Sequence, residues 1–269
     1  YVSQSAFSIA ISELEKLLGV RLIDRTNKRV TVTRTGQEVI SQARLCLRDI
    51  ESLVEMARGG RSVLTGQLHL GVIPTIAPFL LPKLIRKLKK DYPKLQLYIK
   101  EKQTDPAYAD LTHGELDVIL LALPYELRNV ETEIIFKEYF VLAYREGTTL
   151  IDPLHYTPSR LERDSVLLLE DGHCLRDHAL AACRIRNLSK VNRFSATSLN
   201  TLVQMVDSDL GITFLPEMAV DSTLLKGTRV KTQPLKEKSS RDIALVWRKG
   251  SGRDEEFRLL AGLMREFKP

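Results

Sequence analysis

Cysteine is scarce in this chain: three residues in 269, at positions 46, 174 and 183. So few do not suggest a secreted scaffold stapled by disulfides, and a reducing cytoplasm is the expected compartment. A credible membrane span is lacking as well. The uncharged stretch Ser62 to Pro82 contains Pro74, Pro78 and Pro82 together with Gly66, Gln67, His69 and Gly71, a poor helix in lipid. The chain opens Tyr1-Val2-Ser3-Gln4 with no basic residues leading into an apolar segment, so neither a leader nor a membrane partner is expected. No stretch has the low-complexity composition of disorder, and no internal repeat is evident. What is present is globular: 43% hydrophobic and 28% charged residues, in a length that suits two domains. Forty Lys and Arg against 34 Asp and Glu leave a formal charge of +6. That excess favours anionic partners and is too small to identify one.

The first sixty residues carry three local signals. Phe7, Ile11, Leu14 and Leu18 recur at helical spacing, which predicts a short amphipathic helix over Ser3 to Leu18 with Gly19 as its stop. Its early turns hold small hydroxyl and amide side chains, which can reach base edges and phosphates without bulk. From Arg21 to Arg34, Val30 and Val32 alternate with Thr31 and Thr33 as in a β-ribbon, with five cations against one acid. Such a ribbon suits a wing along phosphates or, equally, a solvated hairpin. A longer helix is predicted from Gly36 to Ala57. Ile40, Ala43, Leu47, Ile50, Val54 and Ala57 step by 3, 4, 3, 4 and 3, a two-stranded seam, although packing on the chain's own domains would give the same stripe. Gly59-Gly60 then marks a linker.

In this order the segment resembles the winged helix-turn-helix and linker helix of LysR-type transcriptional regulators. The residues that carry the likeness are Val2-Ser3-Gln4, Ser8, Leu14-Glu15, Leu18-Gly19-Val20, Leu22, Arg25 and Thr33-Arg34-Thr35-Gly36. The resemblance implies that the first helix is the recognition helix, entering the major groove of promoter DNA from a dimer. Ser3, Gln4, Ser5, Ser8, Arg25, Lys28, Arg29 and Arg34 are then the DNA-binding residues. Ser5 stands where the family often has Pro. The family's preceding helices, roughly twenty-five residues, are expected to be missing ahead of Tyr1, so weak DNA binding by this chain is the expectation.

From Gly66 the pattern changes to an alternation of strands and helices. Leu68, Leu70 and Val72 alternate as a strand, Phe79 to Tyr92 reads as a helix, Leu95 to Ile99 and Leu116 to Leu121 as strands. A second series runs through strand Ser165 to Leu169, a helix from about Cys174, a strand near Phe194 and a helix from Ser198 to Asp207. Strands at Ile212 to Leu215 and Ile243 to Trp247 and a helix from Glu255 to Phe267 complete it. This rhythm predicts an α/β class with two units and a cleft between them. Within the LysR family it resembles the two-lobed, periplasmic-binding-protein-like effector domain. The expected division is a partial winged helix-turn-helix at 1–35, a linker helix at 36–60 and a regulatory domain at 65–269. In that domain, lobe I takes 65–140 plus 240–269, and lobe II takes 141–239.

The segment from Glu170 to Cys183 carries the chemistry. Asp171-Gly172 precedes the helix, so Cys174 sits in its first turn, where backbone N–H groups and the dipole favour a thiolate. His173 and Arg176 are expected to add positive charge. A thiolate attacks peroxide and becomes sulfenic acid. Leu175, Ala179 and Cys183 form an apolar stripe, and nine residues put the two cysteines on opposite helix faces. At ~1.5 Å rise per residue their Cα atoms would be roughly 13 Å apart, against about 4.4–6.8 Å for a disulfide, so bonding them requires the helix to unravel. Two other readings stand beside this one: Cys183 as a small core residue, and a metal site built from His173, Cys174, His178 and Cys183. The facing directions oppose the second, and neither a resident metal nor a cofactor is expected.

Glu170 to Asp177, the step to Cys183, Ala196-Thr197-Ser198-Leu199 and Ile73-Pro74-Thr75 with Pro78-Phe79-Leu80-Leu81-Pro82 are similar to the peroxide-sensing branch of the LysR family. The likeness covers essentially the whole chain. It implies that Cys174 is the peroxidatic cysteine and Cys183 the resolving one, joined by a reversible disulfide. It implies too that Thr75, Thr104 and Arg241, with His173 and Arg176, line a peroxide pocket. Hydrogen peroxide is then the effector, a cellular thiol system the reductant, and RNA polymerase a partner of a homodimer or homotetramer. Arg193 and Ser195 depart from the His and Arg common in that branch. Two alternatives remain at this stage: a LysR regulator gated by a small organic effector between its lobes, and a thiol peroxidase, for which the basic ribbon and seam helix would have no use.

Overall fold

Ser3 is the N-cap of the first helix. Its hydroxyl accepts the Ala6 N–H at 3.2 Å, and helix α1 runs Gln4–Leu18 to Gly19, whose left-handed backbone (φ 69°) closes it. The Glu15 carboxylate then accepts the Leu22 and Ile23 amides at 2.7 and 3.1 Å, which turns the chain into the ribbon and lowers the pKa of Glu15. Strands β1 (Ile23–Thr26) and β2 (Arg29–Val32) pair antiparallel, Ile23 opposite Val32. Helix α2 (Arg34–Ala57) follows at once. A Cβ at Gly36 would lie 2.2 Å from the Leu22 carbonyl oxygen, so only glycine lets α2 start that close to the ribbon.

The computed structural model describes residues 3–26, 29–57, 63–182, 184–185, 187–235 and 239–268. Its chain divides into two units, Tyr1–Arg61 with Thr112–Glu115, and Ser62–Leu111 with Leu116–Pro269. Among the described residues no helix is long and apolar enough to cross a membrane.

In the larger unit the order is β3 (Gly66–Val72), α3 (Ala77–Asp91), β4 (Leu95–Glu101), α4 (Thr104–Thr112), β5 (Val118–Leu123) and β6 (Val130–Arg145). Then come β7 (Val166–Leu169), α5 (Cys174–Ala182), β8 (Val191–Ala196), α6 (Leu199–Asp207) and β9 (Thr213–Pro216). Strands β10 (Val230–Pro234) and β11 (Ser240–Arg248) and helix α7 (Asp254–Arg265) complete it. Strand β3 pairs parallel with β4 and β5, and β11 runs antiparallel between β5 and β6. Buried strands of this kind read as near-continuous apolar runs, as Val118–Leu123 does.

Strand β6 is the element that joins the two halves. Its first part lies beside β11 as far as Tyr139, paired with Ser240; from Phe140 onward it lies beside β9 and β10. Two hydrophobic cores accompany that change of partner. The first contains Leu70, Val72, Leu84, Leu120, Trp247 and Phe257; the second contains Leu142, Val166, Leu168, Leu202, Val206 and Phe214. Phe79, on α3, packs against the second core, and Met218, just after β9, packs against the first, so each half reaches into the other.

Candidate functional site

Strand β7 is wholly buried and delivers the chain to a turn at residues 171–172, where Gly172 takes φ 95°. Helix α5 begins two residues later with Cys174. Its side chain is 9% exposed and belongs to the first core, whereas Leu175 and Ala179 of the same helix belong to the second. The sulfur is therefore the point at which a helix of one half enters the packing of the other. It is a free thiol.

Three groups converge on that sulfur. The Ala122 N–H, on β5, and the Thr104 hydroxyl, at the start of α4, lie beside it, and the Arg241 guanidinium, on β11, acts on it through charge. Arg241 is fully buried and held from three directions. Its Nε donates to Glu138 Oε2 at 2.8 Å, Nη1 to the Thr75 hydroxyl at 3.0 Å and Nη2 to the Thr75 carbonyl at 3.2 Å. Glu138 lies opposite Arg241 in the β6–β11 register, and its Oε1 accepts the Met218 amide at 3.2 Å. Burial pushes the Glu138 carboxyl up, with Arg241 opposing. The Thr104 hydroxyl is buried and meets no nitrogen or oxygen partner, so no such group competes for it with the Cys174 sulfur.

Two expectations about the sulfur need correction. Burial pushes the Cys174 thiol up, and Arg241, the Thr104 hydroxyl and the Ala122 N–H oppose this without reversing it. Nor do the neighbouring residues supply the positive charge. Burial lowers the pKa of His173, so its ring is neutral near pH 7. Arg176 turns back on its own turn, donating to the Leu169 carbonyl at 3.1 Å and pairing with Asp171 at 2.9 Å. The cation that faces Cys174 is Arg241, 67 residues further along the chain.

Thr75, Thr104 and Arg241 are thus brought together with Cys174, while Arg176 is directed elsewhere. His173 lines a cavity of about 330 Å³ with Pro74, Thr75, Phe79, Ser198 and Asn200. His178, weighed above as a metal ligand, donates instead to the Pro124 carbonyl at 2.9 Å. Among the described residues no group of three His, Cys, Asp or Glu side chains could hold a metal. Arg193 is exposed on β8, and Ser195 pairs with Leu168. Cys183 lies outside the described residues; helix α5 ends at Ala182. Glu138 and the Ala122 amide were not anticipated, since one is a carboxylate in a charged stretch and the other is backbone.

In the smaller unit, Ser3, Gln4 and Ser5 are exposed at the start of α1 and Ser8 is half-buried. Ser3 is also the cap, and its hydroxyl lies 3.0 Å from that of Ser5. Arg25 and Arg29 are exposed on the ribbon, and Arg34 pairs with Glu38 at 3.4 Å at the start of α2. Lys28 lies outside the described residues. Ile40, Leu47, Ile50 and Val54 are exposed along α2.

A helix followed by a basic ribbon and a long helix, ahead of a two-cored α/β regulatory unit, defines a class of bacterial DNA-binding regulators. Residues 1–37 match the bacterial regulatory helix-turn-helix protein, lysR family, and residues 61–268 match the LysR substrate binding domain. The chain belongs to the LysR family. It is 40% identical over 266 residues to the HTH-type transcriptional regulator EstR of Acinetobacter baylyi, covering 98% of this chain and 88% of that protein. It is 38% identical over 266 residues to the hydrogen peroxide-inducible genes activator of Dickeya chrysanthemi, covering 99% and 87%. Among solved structures it is similar to a full-length OxyR cysteine variant of Pseudomonas aeruginosa. That match has 32% identity and a TM-score of 0.83 over 98% of this chain and 89% of that one.

Proposed function

We propose that this chain is a LysR-type transcriptional regulator that senses hydrogen peroxide through reversible oxidation of Cys174, with Cys183 as the resolving thiol. The observation that carries the reading is the setting of Cys174: a buried sulfur at a helix start, packed in the first core while its helix packs in the second, with Arg241, Thr104 and the Ala122 amide converging on it. In the first step the Cys174 thiolate attacks one peroxide oxygen, the O–O bond breaks, and the departing hydroxide takes a proton to become water. In the second the Cys183 thiolate attacks the sulfenic sulfur, the 174–183 bond forms as the S–O bond breaks, and the departing hydroxide takes a proton to leave as a second water. A cellular dithiol resets the switch by exchange. One peroxide is consumed per disulfide, so the chemistry is sensing rather than turnover.

Thr104 and Thr75 supply hydroxyls for peroxide, and Arg241 stabilises the negative charge that passes from sulfur to leaving oxygen. His173, neutral on the cavity wall, offers a donor or acceptor there. Arg176 has the different task of fixing the 169–171 turn. Because Cys174 is packed in the first core and its helix in the second, pulling the sulfur toward Cys183 must repack both halves. Residues 65–269 form the sensing domain, residues 1–35 meet promoter DNA through α1 and the ribbon, and the exposed stripe of α2 within 36–60 pairs two copies. Such a regulator works in the cytoplasm, as a homodimer or homotetramer acting on RNA polymerase.

Disulfide mapping by mass spectrometry after a brief, low dose of peroxide tests the reading. The expected product is a 174–183 linkage in the wild type, absent from Cys174→Ser; an unlinked, unoxidised Cys174 overturns it. A second reading rests on the 330 Å³ cavity: an organic effector held there. It predicts a DNA footprint indifferent to peroxide.

A further inference from the structure

Helix α5 is fastened to the first half of the larger unit by a second side chain one turn after Cys174. His178 is buried, and its Nε2 donates to the carbonyl of Pro124, in the segment that follows β5. With the ring hydrogen on Nε2, Nδ1 is a bare lone pair, and it is buried with no hydrogen-bond partner. Cys174 and His178 stand at i and i+4, so one stripe of α5 carries both residues, while Leu175 and Ala179, about 100° further round the helix, pack into the second core.

We infer that His178 is a positioning residue that latches α5 against the first half and thereby sets how readily Cys174 is released for disulfide formation. The inference rests on the peroxide-sensing reading above. The latch is a single hydrogen bond from side chain to backbone, and unravelling of the helix start must break it. Either form of the ring can donate from Nε2, but only the neutral ring avoids a buried N–H at Nδ1. A proton on Nδ1 would create a buried N–H with no acceptor and a cation in the field of Arg241, from β11. The bond to Pro124 and the exposed Asp177 on the same helix favour protonation, but burial, the largest effect, together with Arg241 keeps the ring's pKa below its ordinary 6.5. Docking therefore disfavours the imidazolium. The latch is intact above the ordinary histidine pKa and is lost as the pH falls through the lowered value of the docked ring.

Two measurements on the full chain test this. Hydrogen exchange followed by mass spectrometry reads the protection of the α5 amides in the reduced protein, between pH 7.5 and 5, after correction for the intrinsic exchange rate. A peroxide pulse followed by acid quench and alkylation separates sulfenic acid formation from disulfide formation. His178→Ala is expected to lower α5 protection and to speed the second step about fivefold, the factor that one hydrogen bond is worth. His178→Gln keeps an amide donor where Nε2 stands but cannot titrate. It should restore wild-type protection near neutrality and abolish the loss of protection that the wild type shows at low pH. Unchanged α5 protection in His178→Ala, no rescue by Gln, or a wild type whose α5 protection is flat with pH overturns the latch. The exchange experiment needs no peroxide. If the wild type forms no disulfide while α5 protection still follows His178, it is the sensing reading that has failed.

Discussion

Helix α5 has two faces that serve the molecule in different ways. Leu175 and Ala179 are 2% and 1% exposed and do for the second core what any apolar stripe does. Cys174 and His178, about 100° round the helix, are buried too, at 9% and 6% exposed, yet they sit among polar groups drawn from β5, α4 and β11. One face holds the helix in its own half by packing area. The other holds it to the neighbouring half by a few directed contacts that chemistry can alter. A switch needs this asymmetry, because a helix gripped equally on both sides would not move when one sulfur changes partner.

The sharpest way to break the contrast is at Arg241. Removing it by Arg241→Ala leaves Glu138 buried without its cation, so the larger unit should lose about 3–5 kcal/mol in urea unfolding. Replacing both residues, as Glu138→Leu with Arg241→Met, should recover much of that stability without recovering oxidation of Cys174. Equal destabilisation by the single and double variants would mean that the pair serves packing alone.

Leu175→Ala probes the other face. A buried leucine cut to alanine should cost about 2–5 kcal/mol in the same unfolding experiment. The rate of sulfenic acid formation at Cys174 should stay within about twofold of the wild type at temperatures where the variant is folded, because the groups around the sulfur are untouched. A large drop in that rate would show that the two faces are not separable.

The difference between the faces also decided what could be read from the sequence. Leu175 and Ala179 are legible because packing repeats at the helical period. The Ile40, Leu47, Ile50 and Val54 stripe of α2 repeats at that period too, though it is exposed, and the buried strand Val118–Leu123 is legible as a continuous apolar run. Cys174 is legible as a site because a turn and a helix start precede and follow it locally. What surrounds the sulfur is not local. Arg241 reaches it only because β11 inserts between β5 and β6, and Ala122 offers a backbone group that any residue would offer. The expected acidity failed for the same reason: the helix start is visible in the sequence, the burial is not. Strand β6 escaped notice because its charged first half faces different neighbours from its apolar second half, so no one period runs through Val130–Arg145.

Burial of the thiol has a kinetic signature. Cys174 ionises above the ordinary thiol value, so near neutrality only a minor fraction is thiolate, and that fraction grows with pH. The first-step rate should therefore climb about tenfold per pH unit across the neutral range, a factor equivalent to about 1.4 kcal/mol. A plateau by pH 6, measured by stopped-flow with excess peroxide, would mean that Arg241 and the helix start outweigh burial after all.

The smallest expected effect separates stability from reactivity at one atom. Thr104 carries a buried hydroxyl with no nitrogen or oxygen partner, and valine matches its shape. Because a buried hydroxyl with only a weak sulfur partner recovers little of its desolvation cost, Thr104→Val should leave unfolding unchanged or stabilise it by up to about 1 kcal/mol. The same change removes a donor beside the sulfur, so the first-step rate should fall about fivefold to tenfold. Opposite signs in the two measurements mark a group kept for the chemistry of the directed face. A loss of stability without a loss of rate would return Thr104 to an ordinary place at the start of α4.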